Sequence, residues 1–568
     1  MLRKTVSMTR FLLFAALAFI FSSQVTAQET YIEPQSQVAL GSALLDASEN
    51  IVFDNDGNKV VFGYFGESTD FDPTEDEFIL DPLGSPDLFL ASYGESNELN
   101  WAFNLGRIAL DDGMDAGGLA VDESGNILIG GSFSVTVDFD PSESSASLTS
   151  QGGKDAFLAK YSSNGEFIWV QQMGGASLDA ITALGTENDE VIAGIRCSGE
   201  ADLDPGEGEF ILTPEGGIDA GLMRLSATGD FIWANHFQPG VNNEIITALN
   251  TELANTILVG ALVNGETSGI PVQSMLVGVY DGAGDLNWEY DFDNQGQSNV
   301  ITHIANSDDL SSFYIGGRIQ ADTDFDPSEE EAIVSPLFAD VFMSKHSVAD
   351  GSLEWVKYLE SNATSDFCGG IREASGLVYL VGSFDVAARF VPGDFTTQVA
   401  ADGASDLFVG VYDLDGTFLE SYVFGGPGAE TAHDSYFSDS GDLLVAGEFA
   451  VSLSVVEGEV DDAVGFSDAF FSSFSYLFDL SANSSEEMKL ATVFPVPASD
   501  VVNIRLAEQP TQPLKVKIIN VVGQTVYEST FDRSGAQLQL PVSELRQGMY
   551  IVQIEMGQET LSTRMIKQ

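Results

Sequence analysis

The chain has 568 residues, with 87 acidic side chains against 22 basic ones and a formal net charge of −65. So negative a field excludes polyanionic partners, nucleic acid and anionic membrane surfaces first among them. It suits cation binding or plain solvation in saline surroundings, where screening within about 10 Å blunts self-repulsion.

Arg3, Lys4 and Arg10 precede an apolar run from Phe11 to Phe21, and Val25 and Ala27 are small residues suited to signal peptidase. This is the pattern of a secretory signal peptide, residues 1–27, cleaved after Ala27. The run is shorter than the roughly 20 apolar residues of a membrane helix, and no later stretch reaches that length, so the expected mature chain carries no transmembrane segment. Cys197 and Cys368 fall in different repeats and read as buried free thiols rather than a disulfide framework. A mature chain of about 540 residues is long enough to bury a large core without such staples.

Seven related segments follow, which points to radial repetition. The clearest copy reads GLAVDESGNILIGGSFSVTVDFDP from Gly118, then DAFLAKYSSNGEFIWVQQMGG from Asp155. Apolar runs bounded by turn residues predict strands at 119–121, 127–133, 156–161 and 167–171, with a turn at 122–126 whose glycine accepts positive φ. Four antiparallel strands make one blade of a propeller. Gly63, Gly131, Gly194, Gly260, Gly317, Gly382 and Gly447 recur in the second strand. Asp87, Asp155, Asp219, Asp340, Asp406 and Asp468 recur before the third, and Trp101, Trp169, Trp233, Trp288 and Trp355 in the fourth. An aromatic at one position per blade implies packing between blades, and a glycine implies close backbone approach.

The seventh copy lacks a fourth strand, whereas Val38-Ala39-Leu40-Gly41 stands where a first blade would already have one. The N-terminal strand is therefore expected to complete the last blade and remove an open edge. The fold expected over residues 28–478 is an all-β propeller of about seven four-stranded blades; copies four and seven depart most from the pattern, and six or eight blades stay open. The VDESGN turn, the IGGSF strand, DAFLAKY and NGEFIW followed by GG resemble the SBBP-type β-propeller repeats of secreted bacterial proteins.

A polar linker at 479–490 separates this region from a tail of different charge. Residues 28–488 hold 11 basic and 80 acidic side chains, whereas 489–568 hold 8 and 7. Runs at 501–506, 514–521, 524–527, 537–540 and 549–554 predict a small Ig-like β-sandwich at 491–568. Phe494-Pro495-Val496-Pro497-Ala498-Ser499, Asn520-Val521-Val522-Gly523-Gln524, Leu545 with Gly548-Met549-Tyr550, and a basic end at Arg564 and Lys567 resemble the C-terminal sorting domain of the type IX secretion system of Bacteroidetes. Val496 departs from the Asn that the family usually has between the prolines. The resemblance implies handling by the type IX machinery, passage across the outer membrane, and release or attachment at the cell surface.

Four copies carry D-x-D-P after the second strand: Asp70 with Asp72, Asp138 with Asp140, Asp202 with Asp204, and Asp324 with Asp326. Alternation along a strand puts such carboxylates on one side, making them candidate calcium ligands. The competing reading is that each Asp caps a turn while Pro ends the strand. Asp54-Asn55-Asp56-Gly57-Asn58 resembles part of a calcium loop, but position twelve is Phe65 rather than Glu, and it aligns with the turn at 122–126.

His236, His303, His346 and His433 are the only histidines, and His346 occupies the place of Tyr161 and Tyr412. No zinc-binding H-E-x-x-H, G-x-S-x-G or phosphate-loop spacing occurs. No catalytic residue and no required cofactor is expected. The leading expectation is a secreted or surface propeller that binds an extracellular glycan or protein, with the loops after the second strand as its face. The alternatives are a polysaccharide-degrading enzyme and a calcium-stabilised structural protein.

Overall fold

The computed structural model describes residues 32–476 and 491–567, apart from 75, 85, 107–113, 216, 238–242, 268–269, 293–298, 329, 364–365, 439–441, 457–459, 495–500, 507–513, 521–524, 532–536, 543–544, 546–547 and 557–558. The expected signal peptide and linker lie outside these residues.

Among the described residues, seven four-stranded antiparallel units succeed one another. The first strands of the units, Ala47–Phe53, Met114–Val121, Asp179–Glu187, Asn243–Asn250, Val300–Asn306, Phe367–Ala374 and Glu430–Phe437, touch one another in a closed cycle, so they are the innermost strands of a propeller. We number the blades in that order. In blade 7 the innermost strand is followed by Asp442–Phe449 and Asp468–Tyr476, and the N-terminal strand Ile32–Leu40 pairs antiparallel on the outside, Val38 opposite Phe471.

In blade 2 the strands run Met114–Val121, Ile127–Asp138, Ser147–Tyr161 and Phe167–Gly175, longer than the apolar runs predict. The extra length is Gly, Ala and Ser, or alternating polar residues, which hydrophobicity does not mark. At Gly131 a Cβ would collide with the Asp115 carbonyl oxygen of the inner strand, so only glycine permits that approach.

Each blade buries its faces against its neighbours. Leu128, Ala156 and Leu158 of blade 2 share a core with Ile181, Ala193 and Ile195 of blade 3. The tryptophans latch the seams: Trp101 Nε1 donates to Ser163 O (3.0 Å), Trp169 to Ala227 O (3.1 Å), Trp233 to Gly282 O (3.2 Å), Trp288 to Val348 O (3.0 Å) and Trp355 to Leu414 O (2.9 Å), each in the outer hairpin of the following blade. The glycine of that hairpin has positive φ, +75° at Gly165, and leaves room for the indole face.

The tail forms two sheets, Ala491–Phe494, Val501–Leu506 and Gln537–Pro541 in one, and Thr525–Phe531, Leu514–Asn520, Gly548–Met556 and Glu559–Lys567 in the other. Leu514, Val516 and Ile518 pack with Leu540 and Val542 between them. Among the described residues no helix is long and apolar enough to cross a membrane.

Candidate functional site

The D-x-D-P segments adopt one geometry four times. Asp70 Oδ1 accepts from Asp72 N (3.1 Å) and Phe78 N (2.8 Å), and Asp138 Oδ1 from Asp140 N (3.2 Å) and Ala146 N (2.8 Å). Asp202 Oδ1 accepts from Asp204 N (3.0 Å) and Phe210 N (2.9 Å), and Asp324 Oδ1 from Asp326 N (3.1 Å) and Ala332 N (2.8 Å). The second carboxylates, Asp72, Asp140, Asp204 and Asp326, each accept from the backbone N–H two residues on. The residue between them, Phe71, Phe139, Leu203 or Phe325, is fully buried. A buried anchor flanked by two caps accounts for the motif as a device that folds the loop. The 54–58 turn is built alike: Asp54 Oδ1 accepts from Asp56 N (2.9 Å) and Asn58 N (2.8 Å).

The histidines separate by role. His346 is buried, stacks on Phe313 at 5.5 Å, and burial pushes it down to about 4, as a packing residue requires. His236 Nε2 meets Asp219 Oδ2 at 2.8 Å.

His303 and His433 lie on innermost strands. Each of these strands carries a bulge, and the residue just after it is small in four blades, Gly118, Ala183, Ala248 and Gly370. The same place holds Asn50, His303 and Asp434 in blades 1, 5 and 7. His303 Nε2 reaches Asp434 Oδ1 at 3.4 Å past blade 6, where Gly370 offers no side chain to intervene. Burial opposes the imidazolium charge, but Asp434 and Cys368 outweigh it and push His303 up to about 9. Cys368, like Cys197, is a free and fully buried thiol, screened from an external substrate. His433 faces Glu49 at 3.5 Å and Glu448 at 3.9 Å.

A cleft of about 570 Å³ opens beside the ring closure. Leu44, Leu45, Pro86, Met114 and Phe466 form apolar walls, and Glu49, Tyr64 and Asp115 supply polar groups. Phe466 is 74 % exposed and Leu45 55 %, large apolar side chains that the fold leaves in water. Lys154 Nζ holds Asp115 Oδ1 at 2.9 Å. The cleft joins the two ends of the ring: Leu45 bridges in parallel to Ser467, two segments remote in sequence.

Of the sorting-motif residues, Pro495, Pro497 and Gly523 lie outside the described residues. Gly548 opens a strand directly opposite Lys567, and Tyr550 is buried opposite Asn520.

Fold and tail together define an exported β-propeller. Residues 492–568 match the family model of the secretion system C-terminal sorting domain, which marks export by the type IX system to the cell surface or beyond. No curated protein matches the chain. Among solved structures it is similar to a protein of unknown function from Dyadobacter fermentans, with 11 % identity, 65 % of this chain and 96 % of that one covered, and a TM-score of 0.36. It is also similar to the β-propeller domain of the trilobed protease from Pyrococcus furiosus, with 8 % identity, 75 % and 97 % covered, and a TM-score of 0.36.

Proposed function

We propose that the exported propeller is a binding scaffold for an extracellular ligand, of SBBP-repeat type, and that the ligand is a neutral polysaccharide seated in the cleft at the ring closure. The observation that carries the reading is the exposed Phe466 and Leu45 standing over Glu49 and Asp115. A sugar ring offers a C–H face to an aromatic or aliphatic wall and hydroxyl donors to carboxylates. The net charge of −65 disfavours acidic glycans.

Binding is preferred to hydrolysis because the acids pushed up furthest, Glu244 and Glu430 at about 8, are buried and do not line the cleft. The test is retention of the full chain on insoluble neutral polysaccharides, with reducing ends assayed in parallel. Retention without new reducing ends is expected, and Phe466→Ala weakens it about tenfold, worth about 1.4 kcal/mol. New reducing ends establish an enzyme instead. Absence of retention on every polysaccharide removes glycans and leaves a protein ligand.

A further inference from the structure

Two buried acidic positions repeat around the ring and meet at the seams between blades. One lies on the third strand of a blade; the other lies at the start of the innermost strand of the next, or just before it. Asp155 thus faces Asp179, Asp219 faces Glu244, Asp340 faces Asp366 and Asp406 faces Glu430, each first acid acting on the second as a neighbouring like charge. None of the eight is more than 3 % exposed.

These pairs leave carboxylate oxygens with no hydrogen-bond partner: Oδ1 of Asp155 and Asp179, Oδ1 of Asp219 with Oε2 of Glu244, Oδ2 of Asp340 and Asp366, and Oε1 of Glu430. The acids described at the other three seams leave no such oxygen. Between blades 1 and 2 the second place is Met114, and Asp87 accepts from Leu83 N, Gly84 N and Asn104 Nδ2. Between blades 4 and 5 both places are neutral, Ser274 and Asn299. At the closing seam Asp468 faces Asp46, which is held by Ser42 N, Ser42 Oγ and Gly66 N.

The two carboxylates of a pair lie together against one glycine. A Cβ on Gly174 would lie 2.8 Å from Asp179 Oδ2 and 3.3 Å from Asp155 Cγ, and one on Gly425 would lie 2.5 Å from Glu430 Oε2 and 2.9 Å from Asp406 Oδ1. Two facing buried carboxylates cannot both stay ionised without a counter-charge, and among the described residues the basic group seen on these eight acids is His236 on Asp219, so a pair takes up either a proton or a cation. The ion pairs seen for Lys154, Lys160, Arg224, Lys345, Arg372 and Arg389 go to other acids.

We propose that the seams between blades 2 and 3, 3 and 4, 5 and 6, and 6 and 7 each bind a hard divalent cation of the calcium type, bridged by the facing carboxylates. Calcium suits such a site better than magnesium, because it accepts irregular oxygen cages and sheds its water more readily. The D-x-D-P carboxylates compete poorly for it, since none of their oxygens is both buried and without a hydrogen bond. Calcium thereby ties blades 2, 3 and 4 together and blades 5, 6 and 7 together.

The full chain, stripped with EDTA, is dialysed to equilibrium against calcium chloride and then melted with and without it, magnesium chloride serving as comparison. Binding with a dissociation constant of about 10⁻⁴–10⁻³ M and a calcium-dependent rise in melting temperature are expected. The double variant Asp219→Asn, Glu244→Gln loses one equivalent and, in EDTA, melts above the parent because the like charges are gone. Asp340→Asn with Asp366→Asn gives the same result at another seam should the first variant fail to fold. Calcium that neither binds nor shifts the melt overturns the proposal and leaves a shared proton at each seam. An undiminished stoichiometry in the seam variants, with one equivalent lost instead in Asp138→Asn, overturns it in favour of the loops.

Discussion

Replacing Phe139 and Asp138 separately decides what holds a D-x-D-P loop. Phe139 is fully buried, with its ring 4.9 Å from that of Phe157 and 5.6 Å from that of Phe133. Tyr161 also donates to its carbonyl oxygen at 2.8 Å, a bond that any side chain at 139 keeps if the loop stays in place. Phe139→Ala therefore removes a packed ring and costs about 3–5 kcal/mol. Asp138 is exposed and supplies one oxygen to two backbone N–H groups, so Asp138→Ala costs about 1–2 kcal/mol and Asp138→Asn, which keeps the acceptor, less than about 1 kcal/mol. Some burial disfavours the Asp138 charge, but its hydrogen bonds outweigh this and hold the carboxyl below its usual range. Its contribution is therefore present above the usual carboxylate range and is lost as the pH falls through the lower folded value. Guanidinium unfolding followed by tryptophan fluorescence in EDTA and in calcium provides the readout. The reasoning is refuted if Asp138→Asn costs as much as Phe139→Ala in calcium and nothing in EDTA, because the charge would then be holding a metal.

Trp169→Phe deletes the indole donor to Ala227 O and is expected to cost about 1 kcal/mol, whereas Trp169→Ala also empties the seam and costs about 3–5 kcal/mol; the same denaturant titration measures both. In EDTA the melting temperature should fall as the pH rises. Burial, then the neighbouring acid, pushes Glu244 up to about 8, and for Glu430 burial again leads with Asp406 adding to it, also to about 8, so the folded state keeps protons that the unfolded chain releases at its ordinary carboxylate values. Stability from these groups is full below that ordinary range and is lost as the pH climbs through about 8. Glu244→Gln should flatten the profile recorded from about pH 5 to about pH 9, and an unchanged slope would show that this seam does not set it.

Much of the ring is legible in the sequence because its structural residues must repeat. Gly131 admits the inner backbone, Trp169 latches the next hairpin and Phe139 anchors its loop, and each has counterparts at the same phase in other blades. The innermost strands extend beyond their apolar runs: Ala116 and Gly118 pair with Gly131 and Gly130 on either side of the bulge at Gly117 but carry no hydrophobic signal. In the tail the strands Ala491–Phe494 and Glu559–Lys567 went unread, the second because its apolar residues are interleaved with Thr, Ser and Arg. The candidate site was less visible for the opposite reason. His303 and Asp434 are meaningful only as departures from Gly118 and Ala183, and a departure shows its partner only after the ring closes. The seam acids are an intermediate case: Asp155 and Asp219 stand out as a repeat, but their partners Asp179 and Glu244 vary in type.

The cleft lies at the closure because that is where a pseudo-symmetric ring has to join unlike segments. Leu44 and Leu45 follow the N-terminal strand and Phe466 precedes the last strand of the ring, so the two ends of the propeller meet in its walls. A ligand held between them binds the closed ring better than one whose N-terminal strand has detached, so binding and closure are linked. At one hundred times its dissociation constant such a ligand stabilises closure by about 2.7 kcal/mol, which slows opening-limited exchange about a hundredfold. Hydrogen exchange of the 32–40 strand against 468–476 measures this, with the blade 3 strands Glu190–Cys197 and Asp219–Leu225 as internal reference. Protection confined to the closing pair places the ligand at the closure. Protection of blade 3 by the same factor would mean that the ligand stabilises the ring as a whole, and protection of neither pair would place it elsewhere.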